Sequence, residues 1–246
     1  MVHGTVRTVR REQDGGFRAE LADGRQVQAR RLLLTSGLVD ELPDVPGLAE
    51  RFGRDVLHCP YCHGYEVRDR ALGVLSTGPM SVHQALLFRQ WTDDVTLLVH
   101  TGPVPDAVEL ERLAARGIDV VQGEVAQVET VDDRLSGVRL RDGRAVPLQA
   151  LALAPFFRGR SDLLDDLGLQ TVPMLRGDDV LASHVAAEPT GATAVPGVYV
   201  AGNVANPMAQ VVVSAAAGMT AAGLINAELV EEETDAAVAA ARAAAA

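Results

Sequence analysis

Alternating apolar and polar positions dominate the first 34 residues. Gly4-Thr5-Val6-Arg7-Thr8-Val9-Arg10 predicts one strand and Gly16-Phe17-Arg18-Ala19-Glu20-Leu21 a second. Ala22-Asp23-Gly24-Arg25 predicts a tight turn into a third run, Gln26 to Leu34, because Asp-Gly supplies the positive-φ residues a short hairpin needs. A loop with Pro43 and Pro46 is expected up to about His58. From Ala71 the pattern alternates between short buried runs and helical spacing. Leu72 to Leu75 and Val95 to Val99 read as strands, Ser81 to Trp91 and Asp106 to Arg116 as helices, and Gly117 to Val121 as a third strand. That βαβαβ order predicts a parallel, doubly wound unit. Hairpins follow at Asp132-Asp133 and at Arg141-Asp142-Gly143-Arg144. Val195 to Gly202 predicts a strand ending in a glycine turn, and a helix of small residues is expected from about Ala209 to Val230. The acidic, then alanine-rich tail after Val230 is expected to fray.

Composition narrows the classes. The 246 residues are 48% hydrophobic and 22% charged, enough for a sizeable core. A net charge of -11 repels phosphate backbones, so nucleic acid is not an expected partner. The chain has no lysine, which removes Schiff-base chemistry. No apolar run is expected to approach the roughly 20 residues that span a bilayer, and the N-terminus lacks a signal-peptide pattern. A cytoplasmic protein without membrane association is the expectation.

The two cysteines form Cys59-Pro60-Tyr61-Cys62, flanked by His58 and His63. A disulfide closing so short a loop gains little stability, whereas two thiols at this spacing suit redox exchange. A neighbouring imidazole can take up or return a proton. Two rivals stay open at this level: a reduced pair without chemistry, and half of a zinc site with His58 or His63. Zinc sites usually add a second, distant ligand pair, and none is evident, so no metal is expected. His83 and His100 read as polar surface or satisfied core groups, Arg158 and Arg160 as solvated loop charges able to touch an anionic cofactor, and Trp91 as core.

The order of these features resembles thioredoxin reductase, a pyridine nucleotide-disulfide oxidoreductase of the low-molecular-weight type. It runs from hairpins ending in Thr35-Ser36-Gly37 through a proline-rich loop and Cys-x-x-Cys to a βαβ unit. Gly197-Val198-Tyr199-Val200-Ala201-Gly202-Asn203 and a helix opening near Gln210 complete it. The run His58-Cys59-Pro60-Tyr61-Cys62-His63-Gly64-Tyr65-Glu66 is closer still to the dithiol-oxidase branch, which closes disulfides in bacterial and fungal natural products. The resemblance implies an α/β fold in which a Rossmann-like nicotinamide-type domain is inserted into an FAD-binding domain. The implied bounds are residues 1–54 and 178–230 for the FAD-type parts, 55–177 for the domain carrying the cysteines, and 231–246 for the tail. It implies that Cys59 is the outer thiol, that Cys62 lies against the flavin and that His63 is the acid–base group. Thr35, Ser36, Gly37, Gly202, Asn203, Gln210 and Val211 would contact FAD and Gly78 the nicotinamide cofactor. It also implies a homodimer acting on a thioredoxin-like protein or a small dithiol or disulfide.

The sequence departs from that pattern in two places. No Gly-x-Gly-x-x-Gly turn precedes Val2, so the first βαβ unit of the FAD-type domain is expected to be missing. The nicotinamide turn reads Ser76-Thr77-Gly78-Pro79-Met80-Ser81, in which only Gly78 keeps its place and Pro79 removes an amide donor. No arginine pair follows Val99 to grip a 2′-phosphate. The function that the resemblance implies is FAD-dependent thiol–disulfide exchange linked to NAD(P)H. An oxygen-dependent dithiol oxidase and a non-catalytic binding or dimerisation remnant are the alternatives.

Overall fold

A computed structural model describes residues 3–245. Contacts divide the chain into two units: one comprises the chain up to Asp40 and from Phe157 onward, the other Glu41–Phe156. The expected crossings stood at 54/55 and 177/178. The segment after Glu41 joins the second unit because Val45 and Leu48 are buried in its core, whereas Ala182 and Val185 lie in strands of the first.

The first unit begins with β1 (Val6–Arg11), β2 (Phe17–Leu21) and β3 (Gln26–Ala29), an antiparallel sheet with the expected turn at Asp23-Gly24. The third run does not continue to Leu34. It breaks at Arg30-Arg31, and β4 (Leu32–Leu34) enters a different sheet. Both arginines are held by ion pairs, Arg30 to Glu233 at 2.6 Å and Arg31 to Glu228 at 3.1 Å and Glu232 at 3.0 Å. The proline-rich loop also carries unexpected elements: β5 (Leu38–Glu41), α1 (Leu48–Arg51) and β6 (Val56–Leu57).

The second unit continues with a helical turn, α2 (Pro60–His63), and then the expected alternation: β7 (Leu72–Ser76), α3 (Ser81–Phe88), β8 (Val95–Val99), α4 (Ala107–Ala115) and β9 (Asp119–Gln122). A capping box between Asp106 and Glu109 starts α4. An antiparallel meander follows, β10 (Val125–Val131), β11 (Arg134–Leu140) and β12 (Ala145–Pro147), with Asp132 and Asp133 at positive φ in its first turn. The chain then returns as β13 (Ala150–Leu153). The central sheet has the order β6-β13-β7-β8-β9, and its strands pair in parallel. β7 and β8 are buried throughout because both faces are covered. Val74, Leu97 and Ala152 pack with Val82, Ala85, Phe88 and Leu113 of the helices, while Leu75, Leu98 and Leu153 pack with Val138 and Leu140 of the meander. A buried clasp locks the meander: Arg51 binds Asp55 (Nε to Oδ1, 2.8 Å) and Asp133 (2.7 Å), and Asp55 also accepts the Leu135 amide at 2.9 Å.

Back in the first unit, β14 (Phe156–Gly159), β15 (Thr171–Arg176) and β16 (Asp179–Val185) form a sheet with β5, ordered β15-β16-β14-β5. β17 (Val198–Val200) then pairs in parallel with β4. Val9, Phe17, Leu164, Val185, Val198 and Val204 form the core of this unit. The last helix, α5, spans Val211–Ala244 without the expected break after Val230. Alanine is the best helix former, and Glu228, Glu232 and Glu233 anchor this stretch to Arg30 and Arg31. At 34 residues, with a window of mean hydropathy 1.4 that is only 6% buried, α5 is long and apolar enough to cross a membrane, contrary to the expectation of no such segment. Small alanines and valines, with Met219, Leu224 and Ile225, supply that hydropathy, so the segment is apolar without carrying a run of large side chains.

Candidate functional site

Cys59 and Cys62 are joined as a disulfide, with their Cα atoms 5.3 Å apart. Cys59 leaves β6 in an extended conformation (φ -101°, ψ 113°) and acts as N-cap of α2, with Pro60 pre-shaping the first helical position. Its Sγ accepts the Cys62 amide at 3.2 Å, and its carbonyl accepts the His63 amide at 3.1 Å. This turn tucks Cys59 inside at 8% exposure and leaves Cys62 and His63 exposed. In the closed disulfide the expected outer thiol, Cys59, is thus the less exposed of the two cysteines. Among the described residues, no cluster of three or more His, Cys, Asp or Glu groups that could hold a metal occurs.

Side chains of the second unit brace the turn. Gln84, buried on α3, donates its Nε2 to the His58 carbonyl at 2.6 Å, one peptide before Cys59. Gly64 ends the turn in ordinary helical conformation, but a Cβ there would stand 2.2 Å from Trp91 Nε1 and 2.3 Å from the Pro60 carbonyl oxygen. Trp91 meets Tyr65 edge-on at 6.4 Å, and the Arg68 guanidinium lies 3.8 Å over the Tyr65 ring. The spacing of the sequence carried no signal for Gln84 or for the Gly64–Trp91 contact, since both arise from helix packing.

The residues expected to meet FAD gather in the first unit. Thr35-Ser36-Gly37 follows β4 and Gly202 follows β17, so both lie at the C-terminal ends of adjacent parallel strands, where open α/β sheets place ligands. The Ala201 amide donates to Leu34 O at 3.1 Å, which holds the two ends together. Gly202 adopts φ +79°, and only the Ser214 side chain comes near its open face, at 3.6 Å. Ser214 Oγ is buried and finds no hydrogen-bond partner among the described residues. Gln210 is the N-cap of α5 but makes no side-chain cap bond, and Val211 is 87% exposed. An uncapped helix N-terminus with an orphaned hydroxyl suits a polar, electron-rich ligand edge, so this donor set fits FAD. Asn203 is turned inward: its Nδ2 donates to the carbonyls of Asn206, Pro207 and Ala209 at 3.3, 3.2 and 3.0 Å. Ser36 is likewise engaged, with its hydroxyl on the Arg160 carbonyl, while the Arg160 amide donates to Gly37 O at 3.0 Å.

The turn around Gly78 is tied to its own neighbours. Ser81 Oγ donates to the Gly78 carbonyl at 2.8 Å, and the Gly102 amide donates to Ser76 O at 2.9 Å. A Cβ at Gly102 would stand 2.9 Å from the Gly78 nitrogen, whereas a Cβ at Gly78 itself would meet nothing within 4 Å. His100, just after β8, accepts the Val125 amide on Nδ1 at 3.0 Å. Burial holds its imidazole below the usual range, with Arg141 adding to the effect and Glu124 opposing it. It is a satisfied structural group, as the sequence suggested, and His83 is exposed. Arg158 lies 3.7 Å from Asp162.

Residues 2–218 match the family described as pyridine nucleotide-disulphide oxidoreductase. The solved structure of HlmI is similar at 42% identity and a TM-score of 0.86, covering 100% of this chain and 75% of that one. The thioredoxin reductase sirT of Leptosphaeria maculans is 28% identical over 235 residues, covering 90% of this chain. The thioredoxin reductase tcpT of Claviceps purpurea is 33% identical over 196 residues, covering 75% of it. The chain spans 69% of the length of sirT and 58% of that of tcpT.

Proposed function

The chain belongs to the pyridine nucleotide-disulphide oxidoreductase family, and from that premise we propose that it oxidises dithiols to disulfides through the Cys59–Cys62 pair, with FAD as electron carrier. The observation that carries the reading is the closed pair held in a braced turn, with one member buried and the other exposed. A substrate thiolate attacks one sulfur of the pair and releases the other as a thiolate. The second substrate thiol then attacks the mixed disulfide, and the substrate leaves as a disulfide. Two electrons and two protons have then passed from substrate to the pair. His63, exposed beside Cys62, takes up and returns a proton in this exchange. FAD, when bound, would supply the two-electron acceptor that restores the disulfide, with molecular oxygen, reduced to hydrogen peroxide, as the terminal acceptor. Gly202, Ser214 and the amides opening α5 would hold the flavin. Pro79, which removes an amide donor beside Gly78, and the lack of an arginine pair after Val99 favour oxygen over a nicotinamide partner.

The second reading is the reductase direction, favoured by the names of sirT and tcpT. In it a thioredoxin-like protein takes electrons from the reduced pair. A homodimer in the cytoplasm belongs to either reading, and sedimentation tests the dimer.

The test starts with the visible spectrum of the purified chain incubated with FAD. Dithiol-dependent oxygen consumption with stoichiometric peroxide supports the proposal. Anaerobic bleaching by NADPH followed by thioredoxin reduction moves the assignment to the reductase. A folded, colourless chain that takes up no FAD overturns both and leaves a binding module.

A further inference from the structure

We propose that Gln84 is a positioning residue that holds a hydrogen-bond acceptor in reserve for the thiol of Cys59 when the pair is reduced. The inference rests on the redox reading of the pair. Gln84 is 6% exposed, and its Nε2 donates to the His58 carbonyl at 2.6 Å. That bond fixes the orientation of the carboxamide, because rotating it would set two oxygens against each other. Its other arm, Oε1, is buried and finds no partner among the described residues. Buried acceptors are nearly always satisfied, so one left open calls for a donor that is absent in this state of the protein.

The neighbourhood supplies such a donor. The closed disulfide carries no hydrogen on sulfur. Reduction by two glutathione molecules breaks the S–S bond, delivers two electrons and two protons, and yields oxidised glutathione and two thiols. Cys59, at 8% exposure, has little access to water for its new S–H group. It is the residue next to the peptide that Gln84 grips, and its S–H is assigned to the open Oε1. The arrangement penalises the disulfide, where Oε1 is unpaired, and favours the dithiol, where it is paired. Gln84 thereby shifts the pair toward reduction and makes the disulfide a better oxidant of substrate thiols.

The test equilibrates the chain anaerobically with glutathione redox buffers and reads the reduced fraction. Gln84→Met, similar in volume but without the amide, is expected to shift the equilibrium about tenfold toward the disulfide, or about 30 mV for this two-electron couple. A purely structural role would lower stability and leave this constant unmoved. A second measurement does not depend on that variant folding. Cys62→Ser leaves Cys59 as the only thiol, since the chain has two cysteines. Its infrared S–H stretch is expected at the lowered frequency of a hydrogen-bonded thiol, and Gln84→Met is expected to return it to the free position. An unshifted S–H band, or an equilibrium constant within twofold of wild type in Gln84→Met, overturns the inference alone. If the wild-type pair never exchanges with glutathione, the redox reading falls with it.

Discussion

Replacing Gly64 by alanine tests whether the redox turn is held by close packing. Gly64 sits at φ -61° and ψ -35°, a conformation open to any residue, so the backbone is not the obstacle. Space is: the added methyl would stand 2.2 Å from Trp91 Nε1, 2.5 Å from its Cδ1 and 2.3 Å from the Pro60 carbonyl oxygen. Neither neighbour gives way easily. The Trp91 backbone is tied at both ends, its amide to Phe88 O at 2.8 Å and its carbonyl to the Asp69 amide at 3.1 Å. The Pro60 oxygen accepts the Gly64 amide at 3.0 Å. Overpacking costs about 1–3 kcal/mol. Rotating the indole away forfeits the edge contact with Tyr65, worth about 0.5–1.5 kcal/mol more. The expected loss is therefore roughly 1.5–4.5 kcal/mol by these two contributions. Urea unfolding followed by far-ultraviolet circular dichroism measures it. Trp91, the only tryptophan of the chain, reports the local displacement through its emission. Gly78→Ala is the control: nothing lies within 4 Å of its added methyl, and stability should stay level or rise by about 0.4–1 kcal/mol. A Gly64→Ala protein within about 0.5 kcal/mol of wild type, with unchanged emission, would refute the packing argument.

Three further outcomes follow from the same geometry. After reduction, iodoacetamide should modify Cys62 before Cys59, because the turn buries Cys59; peptide mapping by mass spectrometry with equal labelling of both would contradict it. Asp55→Asn should cost about 3–5 kcal/mol at neutral pH, since it leaves the Arg51 guanidinium buried beside a broken pair. Burial opposes ionisation of Asp55, but the Arg51 and Leu135 hydrogen bonds outweigh it and hold the carboxyl below 3.8. The stability this group contributes is thus complete above that value and is lost as pH falls through its folded-state value, so urea melts of wild type and Asp55→Asn should converge only in strong acid. Tyr199 is pushed up to about 12, first by burial and then by the Glu228 carboxylate. Its stabilising contribution is present below about pH 10 and lost as pH rises toward 12. Ultraviolet titration should show one late phenol that Tyr199→Phe removes.

Local pattern was enough for much of this protein. The period change at Ala71 determined β7 through β9, because a strand buried on both faces and an amphipathic helix leave distinct spacings. Asp-Gly at residues 23–24 and 142–143 determined two turns through the backbone freedom of glycine. The cysteine spacing located the pair that the fold joins as a disulfide. Tertiary structure decided what depended on distant partners. Arg30 and Arg31 end a run that reads as one strand because glutamates some 200 positions later hold them. The same ion pairs extend α5 through a tail that composition alone would let fray. β5 and β6 are too short to carry a period, and they exist because neighbouring strands complete their hydrogen bonds. Which cysteine is buried, and the amide of Gln84 beside it, came from the packing of α2 on α3: sequence spacing sets which residues are neighbours along the chain, and only folding sets which side chains lose their water.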